Sequence, residues 1–320
     1  MEKMKAVICT RYGPPEVLQI REVEKPIPKD NEVLIKIHAT AVTASDCVIR
    51  GLKMPGAPGF LKKHLMRLMV RIFMGFSKPR NSIIGLVMSG EVESVGKNIT
   101  QFSKGDEVYG FTPTSLGNYA EYKCMSENAA RRGYFAIKPG NIGHEEAAAI
   151  AYGGVLAIYF MRKMTIQSGH KVLVYGASGA IGTIAVQLAR HSGAEVTGVC
   201  SQTNIELVKS LGADKVIDYT REDSTEKLES YDFILDAVGK NKSSKLKTQC
   251  KKALHQDGKY VSVDDGLHKL GSEDLAQLTK IVEAGHIRAV IDSHYPLEQI
   301  VEAHRYVDKG HKKGNVVIRV

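Results

Sequence analysis

The 320-residue sequence is short of three things: long apolar runs, clustered cysteines and blocks of basic residues. Its longest uncharged stretch, Ala147–Met161, is 15 residues and is interrupted by Gly153 and Gly154. A bilayer takes about 20 residues, so no membrane-spanning helix is expected. The five cysteines, at 9, 47, 124, 200 and 250, are odd in number and too scattered for a Cys-x-x-Cys zinc clip. They suit free thiols in a reducing compartment. The opening Met1–Thr10 passes straight into a strand-like segment, Lys5–Cys9, without a signal-peptide apolar core. A cytoplasmic protein is expected. The net charge of +9 raises nucleic acid as a partner. With no arginine-rich run, zinc-finger spacing or aromatic stacking motif, the charge reads instead as a solvated basic surface that attracts a phosphorylated cofactor.

What is present centres on one stretch. Lys171-Val-Leu-Val-Tyr175 is an apolar, β-branched run of the kind that forms a buried parallel strand. It breaks at Gly176, Ala177, Ser178, Gly179, Ala180, Ile181 and Gly182, and helical spacing follows to Arg190. The first N–H groups of such a helix are unpaired, its dipole favours an anion, and glycine admits a pyrophosphate close to the backbone. Gly-x-x-Gly-x-x-Gly is not the usual Gly-x-Gly-x-x-Gly, but the strand–turn–helix setting predicts a dinucleotide site.

The chain before and after this stretch differs in texture. Up to residue 126, strands are predicted at Met4–Thr10, Leu18–Glu24, Glu32–Ala44, Ser89–Val95, Glu107–Phe111 and Ala120–Lys123, separated by Gly- and Pro-rich turns, as in a small barrel. One segment interrupts them. From Phe60 to Phe76 the apolar residues share one helical face and the basic ones lie largely elsewhere. It reads as a helical insertion packed on its own domain, with a substrate lid or a membrane-surface helix as alternatives. From residue 127 strands and helices alternate: helix His144–Lys163 with a break or close ligand approach at Gly153-Gly154, strand 171–175, helix 181–191, strand 195–200, helix 204–210, strands Lys215–Tyr219, Asp232–Ala237 and Gly258–Val263, and helices near 243–254 and 272–284. That alternation predicts a doubly wound parallel sheet. The tail is mixed: strand Ala289–Ile291, helix Leu297–Lys309 and strand Val316–Val320.

Several stretches together resemble the medium-chain dehydrogenase/reductase superfamily, in its zinc-free quinone oxidoreductase-like branch. They are Gly85–Gly96, the Gly-Asp-x-Val-Tyr-Gly run at 105–110, Tyr152-Gly-Gly154, Val174–Gly182, Leu211-Gly-Ala-Asp214, Val216–Tyr219, Asp236-Ala-Val-Gly239 and the terminal Gly-His-Lys-Lys-Gly-Asn-Val-Val. The resemblance implies an α/β fold: a GroES-like β-barrel catalytic domain from residues 1–126 and 288–320, a Rossmann domain from 127–287, and an active site in the cleft. It also implies a homodimer. The zinc-dependent relatives carry Cys-His where this chain has Thr43-Ala44, and Gly-His-Glu where it has Gly85-Leu86-Val87. Without thiolate or imidazole donors at those places, no zinc is expected.

For the nucleotide, the loop after the second strand is Ser201-Gln-Thr-Asn204. Ser201, Thr203 and Asn204 tolerate a 2′-phosphate that a carboxylate would repel, so NADPH is expected ahead of NADH. The resemblance puts Tyr219 near the adenosine phosphate, with Lys312 or Lys313 supplying charge, and runs Asp236, Ala237 and Val238 past the nicotinamide ribose. Tyr219 is equally a plain strand-end aromatic, and Asp236 equally a loop cap. Threonine is usual in relatives where Leu156 stands. Without a metal, easily reduced substrates are favoured, namely quinones or α,β-unsaturated carbonyls, whose developing charge hydrogen bonds can steady. Thr43, Ser45, Asp46 and Tyr152 are the substrate-side candidates, Asp46 being also a possible helix cap. No catalytic acid is singled out. The alternative is a non-enzymatic NADPH-binding sensor or partner-binding protein.

Overall fold

The computed structural model describes residues 2–52, 68, 71–72, 74–113, 115–239, 244–265 and 270–320. Most of the expected amphipathic segment, Phe60–Phe76, lies outside them. In chain order the strands begin with β1 (Lys3–Cys9), β2 (Leu18–Glu24), β3 (Glu32–Val42), β4 (Val87–Val95), β5 (Glu107–Phe111), β6 (Tyr122–Ser126) and β7 (Phe135–Ile137). Then come β8 (Lys171–Tyr175), β9 (Glu195–Cys200), β10 (Lys215–Asp218), β11 (Tyr231–Asp236), β12 (Leu254–Ser262), β13 (Ile291–Pro296) and β14 (Asn315–Arg319). The helices are α1 (Ala44–Gly51), α2 (Glu127–Arg131), α3 (His144–Met164), α4 (Ala180–His191), α5 (Ile205–Ser210), α6 (Lys245–Lys252), α7 (Ser272–Glu283) and α8 (Ile300–Asp308).

These elements form two compact units. The first comprises Met1–Tyr152, Gly271–Thr279 and Ile291–Val320, the second Gly153–Leu270 and Lys280–Val290. In the first, β1 and β2 pair antiparallel, and a larger sheet runs β13-β14-β3-β4-β5-β7 with β6 also on β3. Every second residue of β3, namely Val33, Ile35 and Ile37, packs against Met88, Val92, Val108, Met125 and Phe135 in one core cluster. That period of two is what a strand with one face on the core requires.

The second unit holds a five-stranded sheet in the order β10-β9-β8-β11-β12, with every pair parallel. Val172, Leu173, Val174, Ile234 and Leu235 are fully buried, as strands covered on both faces must be. The strand order reverses between β8 and β11. In open α/β sheets, ligands bind outside the carboxyl ends of the strands at such a reversal.

Local differences from the sequence expectations have local causes. Strand β3 stops at Val42 because Thr43 is the N-cap of α1. The expected helix 243–254 ends at Lys252, since Leu254 already pairs with Tyr231 of β11. The strand expected at Ala289–Ile291 instead begins at Ile291 and runs to Pro296 as β13, through the polar Asp292-Ser293-His294, held by its ladder to β14. Helix α3 runs unbroken through Gly153-Gly154. A Cβ at Gly153 would lie 3.0 Å from the Ala180 carbonyl oxygen, so the close neighbour there is the chain's own backbone. Among the described residues no helix is long and apolar enough to cross a membrane.

Candidate functional site

The corner between β8 and α4 is built from backbone. Gly176 has φ +85°, a left-handed conformation, and a Cβ there would come within 2.5 Å of Val238 Cγ2. At Gly182 a Cβ would be 2.1 Å from the Gly176 carbonyl oxygen and 2.8 Å from Ala177 Cα. Only glycine lets the turn and the helix approach so closely. The N–H groups of Gly176 and Ala177 both bond to the Val199 carbonyl at 3.0 Å, tying the turn to β9. Gly179 caps α4 without a side-chain bond, and the first intrahelical bond is made by Thr183 N–H to Gly179 O, 2.9 Å. The N–H groups of Ala180, Ile181 and Gly182 therefore precede the helical ladder and are available to an anion. Ser178, Gly179, Ala180 and Ile181 are half-exposed.

Around this corner the strand ends carry polar groups. Asn204, 7% exposed, donates through Nδ2 to Ser178 Oγ and to Ser201 Oγ, both at 3.1 Å. Its Oδ1 is buried and unpartnered. Ser201 and Thr203 hydroxyls lie 3.2 Å apart. Tyr219, at the end of β10, is exposed, and its N–H bonds to Cys200 O. Asp236 is already fully engaged. Its Oδ1 accepts from Val238 and Gly239 N–H at 3.1 Å, and its Oδ2 from Lys247 Nζ at 2.7 Å, Tyr260 at 2.9 Å and Ser262 at 3.2 Å. Burial alone would raise its pKa, but the ammonium of Lys247 and these hydrogen bonds hold it below the usual carboxylate value. Asp236 is thus the cap that sets the turn carrying Ala237 and Val238. Nothing in the spacing of the chain points to Lys247 or Tyr260 as its partners.

In the first unit the candidates gather at the start of α1. Thr43 and Asp46 form a reciprocal capping box, with Asp46 N–H on Thr43 Oγ1 at 3.2 Å and the Asp46 carboxylate on Thr43 N–H at 2.8 Å and on its hydroxyl at 2.6 Å. Asp46 is fully buried, and burial pushes its carboxyl up to about 6 against hydrogen bonds that favour the anion. Its Oδ1 and the Tyr119 hydroxyl lack partners of ordinary hydrogen-bond geometry, yet they interact with each other electrostatically. Ser45 bonds the hydroxyl of half-buried Tyr152, whose ring lies 5.6 Å from that of Phe111. Burial raises the Tyr152 pKa, so that hydroxyl keeps its proton at neutral pH.

Beneath α1 lies a second set of groups invisible to motif reading. Arg50 is fully buried and bonds Asp308 Oδ2 at 2.6 Å, with Nε and Nη1 unpartnered. His304 is fully buried, with Nδ1 3.5 Å from Cys47 Sγ and Nε2 unpartnered. Burial, then the Arg50 charge, push His304 down to about 3, so it is neutral. Burial pushes the Cys47 thiol up, which makes it an inert thiol. At the tail, Lys312 donates to the Gly314 carbonyl, and burial pushes its ammonium down to about 8. Lys313 is exposed, its N–H on Asp292 Oδ2.

Residues 29–166 match the family model described as Alcohol dehydrogenase GroES-like domain, and 180–291 and 265–318 match two models described as Zinc-binding dehydrogenase. The 2-methylene-furan-3-one reductase of Solanum lycopersicum is 30% identical over 336 residues, covering 99% of this chain and 79% of that protein. The chain belongs to the medium-chain dehydrogenase/reductase superfamily, in its quinone oxidoreductase-like branch. The NADPH-dependent alkenal/one oxidoreductase, chloroplastic, of Arabidopsis thaliana is 27% identical over 99% of this chain and 80% of its own. The solved quinone oxidoreductase of Coxiella burnetii is 27% identical, with a TM-score of 0.82 over 100% of both chains.

At the places where zinc-dependent members of the superfamily hold metal, this chain has Thr43, whose side chain is spent on the capping box, and the buried apolar Leu86 and Val87. These residues do not fit a catalytic zinc. Among the described residues no group of three His, Cys, Asp or Glu side chains is placed to hold a metal ion.

Proposed function

We propose that the chain is a zinc-independent oxidoreductase that takes NADPH and transfers hydride to a quinone or an α,β-unsaturated carbonyl. The observation that carries this reading is the glycine-built corner at Gly176–Gly182, whose helix N–H groups at Ala180, Ile181 and Gly182 suit a diphosphate. The printed activities of the relatives, alkenal/one and quinone reduction, supply the substrate class. When bound, the nicotinamide supplies the hydride.

The chain's own residues then have limited tasks. Ala180, Ile181 and Gly182 N–H groups bind the diphosphate. Asp236 fixes the turn at Ala237 and Val238, the residues that would hold the cofactor's ribose. In the first unit the Thr43 hydroxyl gives its proton to the Asp46 carboxylate, which leaves the Ser45–Tyr152 pair to offer a hydrogen-bond donor to a substrate oxygen that gains negative charge. Tyr152 stays protonated and so remains a donor throughout the neutral range. Asp46, sealed from solvent, positions Thr43 and does not itself reach substrate. The cysteines at 9, 47, 124, 200 and 250 are all free, which suits a cytoplasmic, reducing setting.

The test is NADPH oxidation with small quinones and 2-alkenals, before and after exhaustive chelation. Turnover unchanged by chelation is expected. Tight NADPH binding with no turnover across the panel would transfer the case to the non-enzymatic alternative. Turnover abolished by chelation and restored by zinc would refute the metal-free chemistry.

A further inference from the structure

Strand β6 carries a lysine where its own pattern calls for an apolar residue. Met125 packs into the core cluster of the first unit, and Lys123, two residues before it, lies on the same face of the strand. Lys123 is 9% exposed. Its amine donates to the Leu116 carbonyl, an oxygen already accepting from Thr112 Oγ1 at 3.2 Å. Among the described residues no carboxylate pairs with it, and burial pushes its pKa down to about 8. A buried ammonium with one shared carbonyl for company is costly, whereas the neutral amine is not.

This side chain lines a cavity of about 300 Å³ together with Met4, Val23, Ile83, Gly117 and Tyr122. The amine end lies beside Gly117, where a Cβ would come within 2.8 Å of Nζ, so the glycine leaves the nitrogen room. Glu24 also lines the cavity but makes no ion pair with Lys123. Cys124, on the same wall, has its thiol pushed up to about 11 by burial, so it keeps its proton and does not compete as a nucleophile. At pH 7 about one in ten amines with a pKa near 8 is neutral, against fewer than about one in a thousand for an ordinary lysine. Desolvated lysines of this kind attack carbonyl carbons. The apolar wall suits a short hydrocarbon chain, and the Leu116 carbonyl oxygen beside the amine disfavours an anionic product such as a carbamate.

We propose that Lys123 captures small apolar aldehydes in this cavity as a reversible imine. The neutral amine nitrogen adds to the aldehyde carbon, and the carbonyl oxygen then leaves as water with both amine protons. A C=N bond replaces the C=O bond, and no oxidant or reductant is consumed. The site lies within the first unit and needs no nucleotide, so it stands or falls apart from the hydride-transfer reading.

The experiment treats the full chain at pH 7 with hexanal, a saturated aldehyde that cannot add to thiols in the conjugate manner of an enal. Cyanoborohydride fixes any imine as a secondary amine, and peptide mapping by mass spectrometry locates the hexyl group. Lys123 is expected to be labelled at least about tenfold faster than the exposed Lys97 and Lys209. Its labelling rate should be half-maximal near pH 8, while the rates at Lys97 and Lys209 still climb above that pH. Lys123→Met, which puts an apolar side chain at a core-facing position, should lose this label and leave the exposed ones unchanged, with thermal melts as the folding control. Lys123→Arg keeps the cation and should lose the label as well, which covers the case of a methionine variant that fails to fold. Formaldehyde, which has no tail to fill the cavity, should favour Lys123 over Lys97 at least about threefold less than hexanal does, since each methylene buried is worth about 0.8 kcal/mol. Equal labelling of Lys123 and the exposed lysines, or none at Lys123, overturns the proposal. So does the same preference with formaldehyde as with hexanal, or a carbamate signal from ¹³C-bicarbonate in a chain that takes no hexyl group at Lys123.

Discussion

The two units hold their candidate groups in opposite ways. In the second, the β8–α4 corner is made of main-chain amides, and the important side chains are the ones that are missing. In the first, the start of α1 works through side chains brought from far along the chain: Asp46 and Arg50 on α1, Tyr119 on a loop, His304 and Asp308 on α8. A backbone site tolerates no added atom, while a side-chain site tolerates no lost partner. Substitutions of opposite kinds should therefore break them.

The largest effect is expected in the corner. Gly182→Ala places a Cβ 2.1 Å from a backbone oxygen that cannot move aside, so the turn must open. Nucleotide affinity should fall at least about a hundredfold, with a stability loss of about 1–3 kcal/mol, as for overpacking. Gly179→Ala is the control, since its Cβ would meet Gly176 O at 3.4 Å, an ordinary contact. Its melting temperature should match wild type. Calorimetry and thermal melts of the two variants check both statements.

Next comes the loss of a partner under α1. Asp308→Asn leaves the fully buried Arg50 charge without its carboxylate. Removing one member of a buried pair costs about 3–5 kcal/mol, here toward the lower end because Asp308 is partly exposed, and urea unfolding should show it. A smaller loss would mean that water reaches Arg50.

The pH dependence of stability sharpens the contrast. Folded His304 stays neutral down to about pH 3, whereas in the unfolded chain it takes a proton near the ordinary histidine value of 6.5. Between these values the unfolded state binds a proton that the folded state refuses, so stability falls as pH drops from 6.5 toward 3. Asp46 acts with the opposite sign. Its folded pKa of about 6 lies above the ordinary aspartate value of 3.8, so stability rises as pH falls between the two. His304 spans the wider interval and should govern the acid limb. The slope of unfolding free energy against pH, compared between wild type and His304→Gln, should flatten below pH 6 in the variant. An unaltered slope would show that His304 is protonated in the folded state.

The smallest effect is the cap. Thr43→Val removes the hydroxyl that accepts from Asp46 N–H, and should cost about 1 kcal/mol in unfolding experiments. If Thr43 also touches substrate, its kcat with a quinone should fall by more than the stability loss explains.

The same contrast explains what could be read from residues alone. Glycine spacing after an apolar run is a local signal, so the corner and the parallel order around it were legible. The strands of the first unit were legible too, because Val33, Ile35 and Ile37 alternate. The strand Phe135–Ile137 was not, being three residues long, and Asp292-Ser293-His294 gave no apolar pattern for β13. The capping of α1 by Thr43 and Asp46 is a three-residue signature and was half seen. Its neighbours Tyr119, His304 and Asp308 were not, since only the tertiary fold brings them within reach. Lys247 escaped for the same reason: one lysine among the several of Lys245–Lys252 carries no mark of the buried carboxylate it neutralises.

The central claim is that main-chain amides at the β8–α4 corner bind the diphosphate of a nicotinamide dinucleotide. Titrating NADPH into the uniformly ¹⁵N-labelled chain tests it most directly. The account predicts saturable one-to-one binding, with the largest amide shifts at Ala180, Ile181 and Gly182. Saturable binding that leaves those three amides unmoved, or no binding by a folded chain, would contradict it.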